Sequence, residues 1–257
     1  MTTSNGRFVW YDLMTTDLAG AKKFYGDLIG WKLTKWGGAD YEMWTTADGK
    51  TVGGLMQLPQ EAQSAGAPPH WLAYAQTADV DATARKAAQL GGQVMVPGTD
   101  IPNVGRFAVL ADPQGAVFAI FKPNDAGDGP NREAQGNFSW AELNTTDYEA
   151  AWKFYSELLG WQKTSAMDIP EFGVYFMFGT DPEQSMGGMS NAAKMMNAPA
   201  HWLHYINVRN CDETAKVIPA KGGKVLNGPI DVPGGVRIAQ GMDPQGGFFA
   251  LYASGAK

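Results

Sequence analysis

The sequence predicts an α+β chain of two tandem domains, each assembled from two βαβββ modules. Three observations predict it: a repeat as long as a domain, a strand–helix–three-strand order that occurs twice within each copy, and a loop-forming stretch between the copies. FVWYDLMTTDLAGAKKFYGDLIGW, starting at Phe8, matches FSWAELNTTDYEAAWKFYSELLGW, starting at Phe138, without a gap at an offset of 130. PPHWLAY matches PAHWLHY at an offset of 131, and LGGQVMVPGTDIPNVGRFAVLADPQG answers KGGKVLNGPIDVPGGVRIAQGMDPQG. A repeat of this length is a whole domain, not a solenoid unit. The copies span 7–122 and 137–253, and PNDAGDGPNREAQG (123–136), rich in Pro, Gly, Asn and Asp, reads as a linker.

Each element has a local cause. Phe8–Met14 mixes aromatic, aliphatic and β-branched residues, as a strand does. In TTDLAGAKKFYGDLIG, Thr16 or Asp17 can cap a helix. Leu18, Ala21, Phe24, Tyr25 and Leu28 fall at helical spacing, and Gly30 ends it. Short strand candidates WKLTKW, YEMWTTA and TVGGLMQL follow. The order then restarts: strand HWLAYAQT, helix DVDATARKAAQL stopped by Gly91 and Gly92, strands QVMVP and RFAVLA, a DPQG turn, and strand AVFAIF. In the second copy, MDIPEFGVYFMFGTDPEQSMGG lengthens the corresponding stretch, and Pro219 is expected to shorten or kink its helix. DPQG, at Asp112 and again at Asp243, reads as a hairpin turn, with Asp and Pro initiating it and Gly tolerating positive φ. No helix follows it, so it is not a phosphate loop.

Composition narrows the function. With 44% hydrophobic and 18% charged residues the chain can build a core. A net charge of −6 and the lack of a basic run argue against nucleic acid as a partner. Cys211, the one cysteine, excludes an internal disulfide and reads as a small residue near a helix start; with only His70, His201 and His204 beside it, a Cys/His zinc cage is excluded too. MTTSNGRFVWYDL lacks a basic segment followed by an apolar one, and no window approaches the roughly 18 apolar residues of a membrane span. The expectation is a cytoplasmic protein with a small-molecule ligand, no membrane or nucleic-acid partner, and a monomeric or homodimeric state.

TTDLAGAKKFYGDLIGW, TTDYEAAWKFYSELLGW, ADVDATARKAAQLGG and the two DPQG turns make the chain resemble the vicinal oxygen chelate superfamily of glyoxalases, bleomycin-resistance proteins and extradiol dioxygenases, and tandem two-domain glyoxalase-like proteins most of all. The resemblance covers nearly the whole chain. It implies that paired modules curl into an open cup that holds a small molecule, often beside one divalent metal bound by His, Gln or Glu on first and last module strands. Those positions here are Trp10, Leu72, Trp140 and Leu203 on first strands, and Ala119 and Ala250 on last strands; the remaining ones lie near Met56 and Met189. None of these side chains suits a divalent metal, so no metal and no other cofactor is expected, with a divalent metal as the alternative.

Strand alternation places Asp12 and Phe8 on the face of Trp10, and Glu142 and Phe138 on the face of Trp140. His70 and Tyr74 join the first cup and His201 and Tyr205 the second; Phe121 and Tyr252 come from the last strands. Trp10, His70, Tyr74, Phe121, Trp140, His201, Tyr205 and Tyr252 are thus candidate ligand-binding residues, and Asp12 and Glu142 candidate general bases, since burial raises a carboxylate's pKa. Against these stand core packing for the tryptophans, strand-end hydrogen bonds for the histidines, and backbone partners for the carboxylates. Arg106 and Arg237 read as surface charges more than as substrate anchors, and Tyr25 and Tyr155 as core. The leading function is a glyoxalase/bleomycin-resistance-like small-molecule binder that lacks the usual metal ligands, with metal-independent acid–base activity as its extension. The alternatives are a metal-dependent lyase or dioxygenase with displaced ligands, and a non-catalytic structural or interaction protein.

Overall fold

The computed structural model describes residues 5–37, 41–125, 130–169 and 173–255. The first repeat runs β1 (Phe8–Thr15), α1 (Leu18–Ile29), β2 (Lys32–Lys35), β3 (Glu42–Thr45), β4 (Thr51–Gln57), α2 (Gln60–Ser64), β5 (His70–Gln76), α3 (Val80–Gln89), β6 (Gln93–Ile101), β7 (Gly105–Ala111) and β8 (Val117–Pro123). The second runs β9 (Phe138–Asn144), α4 (Tyr148–Leu159), β10 (Gln162–Ile169), β11 (Gly173–Gly179), β12 (Gly187–Ser190), α5 (Ala192–Met196), β13 (His201–Asn207), α6 (Cys211–Ala220), β14 (Lys224–Val232), β15 (Val236–Met242) and β16 (Phe248–Ser254). Each repeat contributes one eight-stranded mixed sheet, in the orders β2-β3-β4-β1-β5-β8-β7-β6 and β10-β11-β12-β9-β13-β16-β15-β14. Within each module the first strand pairs parallel with the last, as β1 does with β4 and β5 with β8. This is the α+β, βαβββ architecture that the sequence predicts. Among the described residues no helix is long and apolar enough to cross a membrane.

Helix ends follow their capping residues. Of the two candidates at the start of α1, Asp17 is the cap: its Oδ1 accepts the Gly20 N–H at 3.0 Å. Asp147 does the same for Ala150 at 3.1 Å, and Gly30 and Gly160 close α1 and α4 with φ of 80° and 74°. Pro219 does not shorten its helix: α6 and α3 each have 10 residues. Pro219 lies in the last turn, so the one bond it forgoes, to the Ala215 carbonyl, falls at the helix end and the turns before it keep theirs. The short helices α2 and α5 have no counterpart in the sequence-based expectation.

The compact units do not coincide with the repeats. One unit contains Met1–Val9, Ala73–Gly129 and Ala141–Trp202; the other contains Trp10–Leu72, Pro130–Trp140 and Leu203–Lys257. Each therefore joins a module of one repeat to a module of the other. In the first unit the Tyr155 hydroxyl, on α4, donates to Asp112 Oδ2 at 3.0 Å and accepts from Trp202 Nε1 at 3.1 Å. Asp112 Oδ1 meanwhile accepts the N–H groups of Gln114 and Ala116, both at 2.9 Å. The second unit repeats the pattern with exchanged parentage. Tyr25, on α1, donates to Asp243 Oδ2 at 3.0 Å and accepts from Trp71 Nε1 at 3.0 Å, while Asp243 Oδ1 holds the Gln245 and Gly247 N–H groups. DPQG is thus the predicted turn, and its aspartate also anchors a helix of the other repeat. Burial, then the facing carboxylate, drives both phenols far above their ordinary pKa; burial raises both aspartates, opposed by their backbone donors.

Aromatic packing surrounds each triad. In the first unit Tyr155 stacks on Trp161 (ring centroids 4.9 Å apart) and Trp161 on Phe178 (4.2 Å), with Phe8 edge-on to Trp161 and Trp202. In the second, Tyr25, Trp31, Trp44 and Trp71 cluster, with Phe138 against Trp31 and Trp71. Phe8 and Phe138 are therefore core residues packed on tryptophans, not walls of a cup beside Trp10 and Trp140. Of the expected linker, residues 126–129 lie outside the described residues. Its end is tied down: Trp31 Nε1 donates to the Gly136 carbonyl at 2.9 Å, and the Gly136 N–H donates to the Asn207 carbonyl at 2.8 Å. His204, which has Ala73 as its counterpart, is buried edge-on to Tyr11 and Phe138, and burial pushes its pKa down to about 3.

Tyr25→Phe and Tyr155→Phe each leave a buried carboxylate oxygen and an indole N–H short of a partner. Each should cost about 1–3 kcal/mol in urea unfolding. His204 contributes stability that is present above its ordinary pKa of about 6.5 and is lost as pH falls toward 3. His204→Phe should flatten that part of the stability–pH curve; an unchanged slope would contradict the assignment.

Candidate functional site

Strand β1 carries Trp10 and Asp12 on one face, as strand alternation requires. Trp10 Nε1 lies 2.9 Å from both Asp12 Oδ1 and the Tyr41 hydroxyl, and that hydroxyl donates to Asp12 Oδ1 at 2.6 Å. Asp12 is 3% exposed, whereas Trp10 and Tyr41 are half-buried. Burial, then the Asp12 charge, raises the Tyr41 pKa and keeps the phenol a donor. A buried carboxylate needs such donors.

The second repeat builds the same pair. The Tyr175 hydroxyl donates to Glu142 Oε2 at 3.1 Å. Strand register makes the two tyrosines equivalent. Asp12 faces Gly54, which faces Met43, two residues after Tyr41; Glu142 faces Gly188, which faces Met177, two residues after Tyr175. The glycines explain the fit. A Cβ on Gly54 would lie 1.9 Å from the Tyr41 hydroxyl oxygen and 2.4 Å from Asp12 Oδ1; one on Gly188 would lie 2.3 Å from Tyr175 Cζ. The glycines just before them act on the backbone instead. A Cβ on Gly53 or Gly187 would meet the carbonyl oxygen of Tyr11 at 2.0 Å or Ala141 at 2.3 Å, so these two permit close strand approach. Sequence reasoning named Asp12 and Glu142 but missed Tyr41 and Tyr175. The glycine pairs in TVGGLMQ and MGGMS were the available signal.

The other candidates form local groups. In the second unit Trp140 packs on Leu203, Tyr205 and Ala250, together with Ile238 and Tyr252. Gln240, opposite Ala250, donates from Nε2 to the Tyr205 hydroxyl at 2.9 Å. In the first unit Tyr74 faces Ala119, and its ring lies 6.1 Å from Phe107 and 6.4 Å from Phe121. Val109 stands opposite Ala119 where the second repeat has Gln240, so the glutamine contact to the tyrosine belongs to the second copy. His70 and His201 each bond through Nδ1 to a backbone carbonyl, Pro68 at 2.8 Å and Pro199 at 2.9 Å, which places the proton on Nδ1; His201 Nε2 also lies 3.4 Å from Asn144 Nδ2. Burial lowers the pKa of His70.

Arg106 is forked onto Asp81 (3.0 and 2.9 Å) and bonded to Asp100 (2.8 Å); Arg237 is forked onto Asp212 (2.5 and 2.8 Å) and paired with Asp231 (3.0 Å). Both guanidiniums are thus engaged by carboxylates of α3 or α6 and the adjoining edge strand. Cys211 is buried at the start of α6, and burial raises its thiol to about 11, far from a reactive thiolate.

A divalent metal does not fit these residues at the positions that the family resemblance implies. Three of them in the second repeat, Trp140, Leu203 and Ala250, meet in one hydrophobic cluster. The corresponding residues of the first repeat are Trp10, Leu72 and Ala119, again without a lone pair to give. Among the described residues no group of three or more His, Cys, Asp and Glu could hold a metal ion.

The two kinds of glycine separate in mutation. Gly53→Ala and Gly187→Ala press on backbone and should lower the melting temperature strongly. Gly54→Ala and Gly188→Ala press on side-chain ends that can swing aside, so they should detach the tyrosine from its carboxylate and cost less than the backbone clashes, about the 1–3 kcal/mol of a lost donor. Thermal melts with tyrosine-labelled NMR check both halves; equal destabilisation by neighbouring glycines would contradict the assignment.

Comparison with known proteins agrees with this architecture. The family model described as Glyoxalase/Bleomycin resistance protein/Dioxygenase superfamily matches residues 7–120 and 137–250. The protein named "Putative glyoxylase CFP32" from Mycobacterium tuberculosis is 35% identical over 246 residues, covering 94% of this chain and 92% of its own. "Anthracycline biosynthesis protein DauV" from Streptomyces sp. (strain C5) is 30% identical over 263 residues, covering 96% and 92%. Among solved structures, the Mn(II)-bound glyoxalase from Novosphingobium aromaticivorans superposes with a TM-score of 0.65 at 17% identity, covering 98% of this chain and 82% of that one. The 2,3-dioxygenase LapB from Pseudomonas sp. KL28 gives 0.65 at 12%, covering 99% and 94%. These two show the fold alone. The repeats, the paired βαβββ modules and the family match over most of both copies make the chain a member of the glyoxalase/bleomycin resistance protein/dioxygenase superfamily, with two tandem domains.

Proposed function

We propose that this chain binds a small organic molecule through its two carboxylate–tyrosine pairs, and that any turnover is acid–base chemistry without the metal of its family. The observation that carries the reading is the recurrence of a glycine-backed pair, Asp12 with Tyr41 and Glu142 with Tyr175, at equivalent strand positions. Residues that only filled a core would not need an acid at this position in each copy, buried as Asp12 and half-buried as Glu142. The carboxylate accepts a proton from an acidic C–H or O–H of the ligand. The tyrosine O–H, and Trp10 Nε1 in the first copy, donate to an oxygen that gains negative charge. Trp140, Tyr205 and Tyr252, and separately Tyr74, Phe107 and Phe121, offer aromatic surface for a flat molecule.

Relatives named for anthracycline biosynthesis support a polycyclic ligand bearing phenol and ketone oxygens. Such a compound joins a flat aromatic body to acidic hydroxyls, which matches aromatic walls with a carboxylate anchor. Daunomycinone, the aglycone, keeps the fluorescent polycyclic body with its phenols and ketones but carries no ammonium, and is the probe. In the presence of chelator it should bind saturably. Asp12→Asn with Glu142→Gln should weaken it by about tenfold, the loss expected for a charge-assisted hydrogen bond. No saturable binding, or binding indifferent to the double variant, would overturn the reading. So would isomerisation of a glutathione hemithioacetal that depends on added Mn(II) or Zn(II).

A further inference from the structure

The second repeat carries a groove of about 530 Å³ on the face of its outer hairpin, away from the Glu142–Tyr175 pair. Tyr148 and Trp152, one turn apart on α4, and Phe176 on β11 form its aromatic part. The Trp152 and Tyr148 rings lie 4.7 and 6.2 Å from that of Phe176. Glu149, Asp168 and Lys163 supply its charges, and the Tyr148 hydroxyl donates to Glu149 at 3.4 Å. Lys163 Nζ stands over the Phe176 ring, 5.1 Å from its centroid.

The first repeat fills the corresponding place with different residues. Trp152 corresponds to Lys22, Tyr148 to Leu18 and, by strand register, Phe176 to Glu42. Lys22 and Glu42 form a salt bridge. The second repeat thus replaces an ion pair with aromatic rings, of which Tyr148 and Trp152 are partly exposed and Phe176 is buried beneath them. It also lengthens the hairpin: β10 and β11 have 8 and 7 residues where β2 and β3 have 4 each. Asp168, opposite Val174, lies on that extension. Two separate departures from the sister repeat, the ring substitutions and the longer hairpin, therefore meet in one groove.

The lining selects its ligand by charge. Two carboxylates outnumber one ammonium, which disfavours an anion. Ring faces attract a cation but offer no lone pair, so a strongly hydrated metal ion gains little there, whereas a weakly hydrated organic cation gains both from the rings and from the carboxylates. Lys163 supplies a stand-in within the protein, an ammonium drawn onto a ring face. We propose that this groove is a binding site for a small organic ammonium with a flat or apolar body, and that Lys163 is a tethered competitor for its cation position. The site is separate from the carboxylate–tyrosine pairs and does not depend on their role.

The test is calorimetric titration with benzyltrimethylammonium and with neutral 2-phenylethanol, followed by NMR at the Trp152 indole N–H. The cation should bind saturably, shift that resonance, and exceed the neutral compound by about tenfold in affinity. Lys163→Met should tighten binding several-fold and Trp152→Ala should weaken it. The double variant Trp152→Lys with Phe176→Glu, which installs the ion pair of the first repeat, should melt cooperatively and bind nothing. No binding by the native chain, equal affinity for the two compounds, or binding that survives Trp152→Ala would overturn the proposal.

Discussion

The hydrogen bond from a helix tyrosine to a turn aspartate is the contact on which the architecture depends. Tyr155 reaches Asp112 and Tyr25 reaches Asp243, so each bond ties the first module of one repeat to the second module of the other. The aspartate is bonded twice over. One oxygen fixes its own DPQG turn through two backbone N–H groups; the other receives the phenol, which is itself held by a tryptophan N–H. An ionisable group this deep is tolerated only when its acceptors are satisfied, and a satisfied network specifies a unique arrangement. The phrase is spelled twice because each compact unit needs one copy.

The positions of the candidate site follow a second constraint, the absence of a side chain at particular points. Gly53 and Gly187 let strands approach; Gly54 and Gly188 leave the space in which a tyrosine lies over the sheet and meets a carboxylate. The same duplication that copied these devices also allowed divergence. Gln240 bonds Tyr205 where Val109 stands beside Tyr74, and rings replace the Lys22–Glu42 ion pair on the outer hairpin. Chemically unequal repeats on one scaffold are what separate ligands would require.

Much of this is legible in the sequence. The offset of 130 reveals the duplication, Asp17 and Gly30 mark the ends of the first helix, and strand alternation puts Asp12 beside Trp10. What is not legible depends on register and long-range pairing. Tyr41 and Tyr175 are 134 residues apart, not 130, because the hairpin between them is longer, so an ungapped repeat hides their equivalence. The Tyr–Asp bonds join residues 218 and 43 apart in the chain, and nothing local announces them. Phe8 and Phe138 are drawn into tryptophan clusters by packing that strand parity alone does not encode. For Pro219 the residue type suggests a shortened or kinked helix, but its place in the final turn leaves α6 at full length.

On the function proposed above, the two carboxylate–tyrosine sites work without a metal, with Trp, Leu and Ala where the family resemblance would put its donors. The most direct measurement is elemental analysis of untagged protein purified without chelator and equilibrated separately with manganese, iron, nickel and zinc. No more than trace retention of any of them is expected after gel filtration. Near-stoichiometric retention of one metal would contradict it, and would make Asp12, Glu142 and the histidines the first ligands to replace.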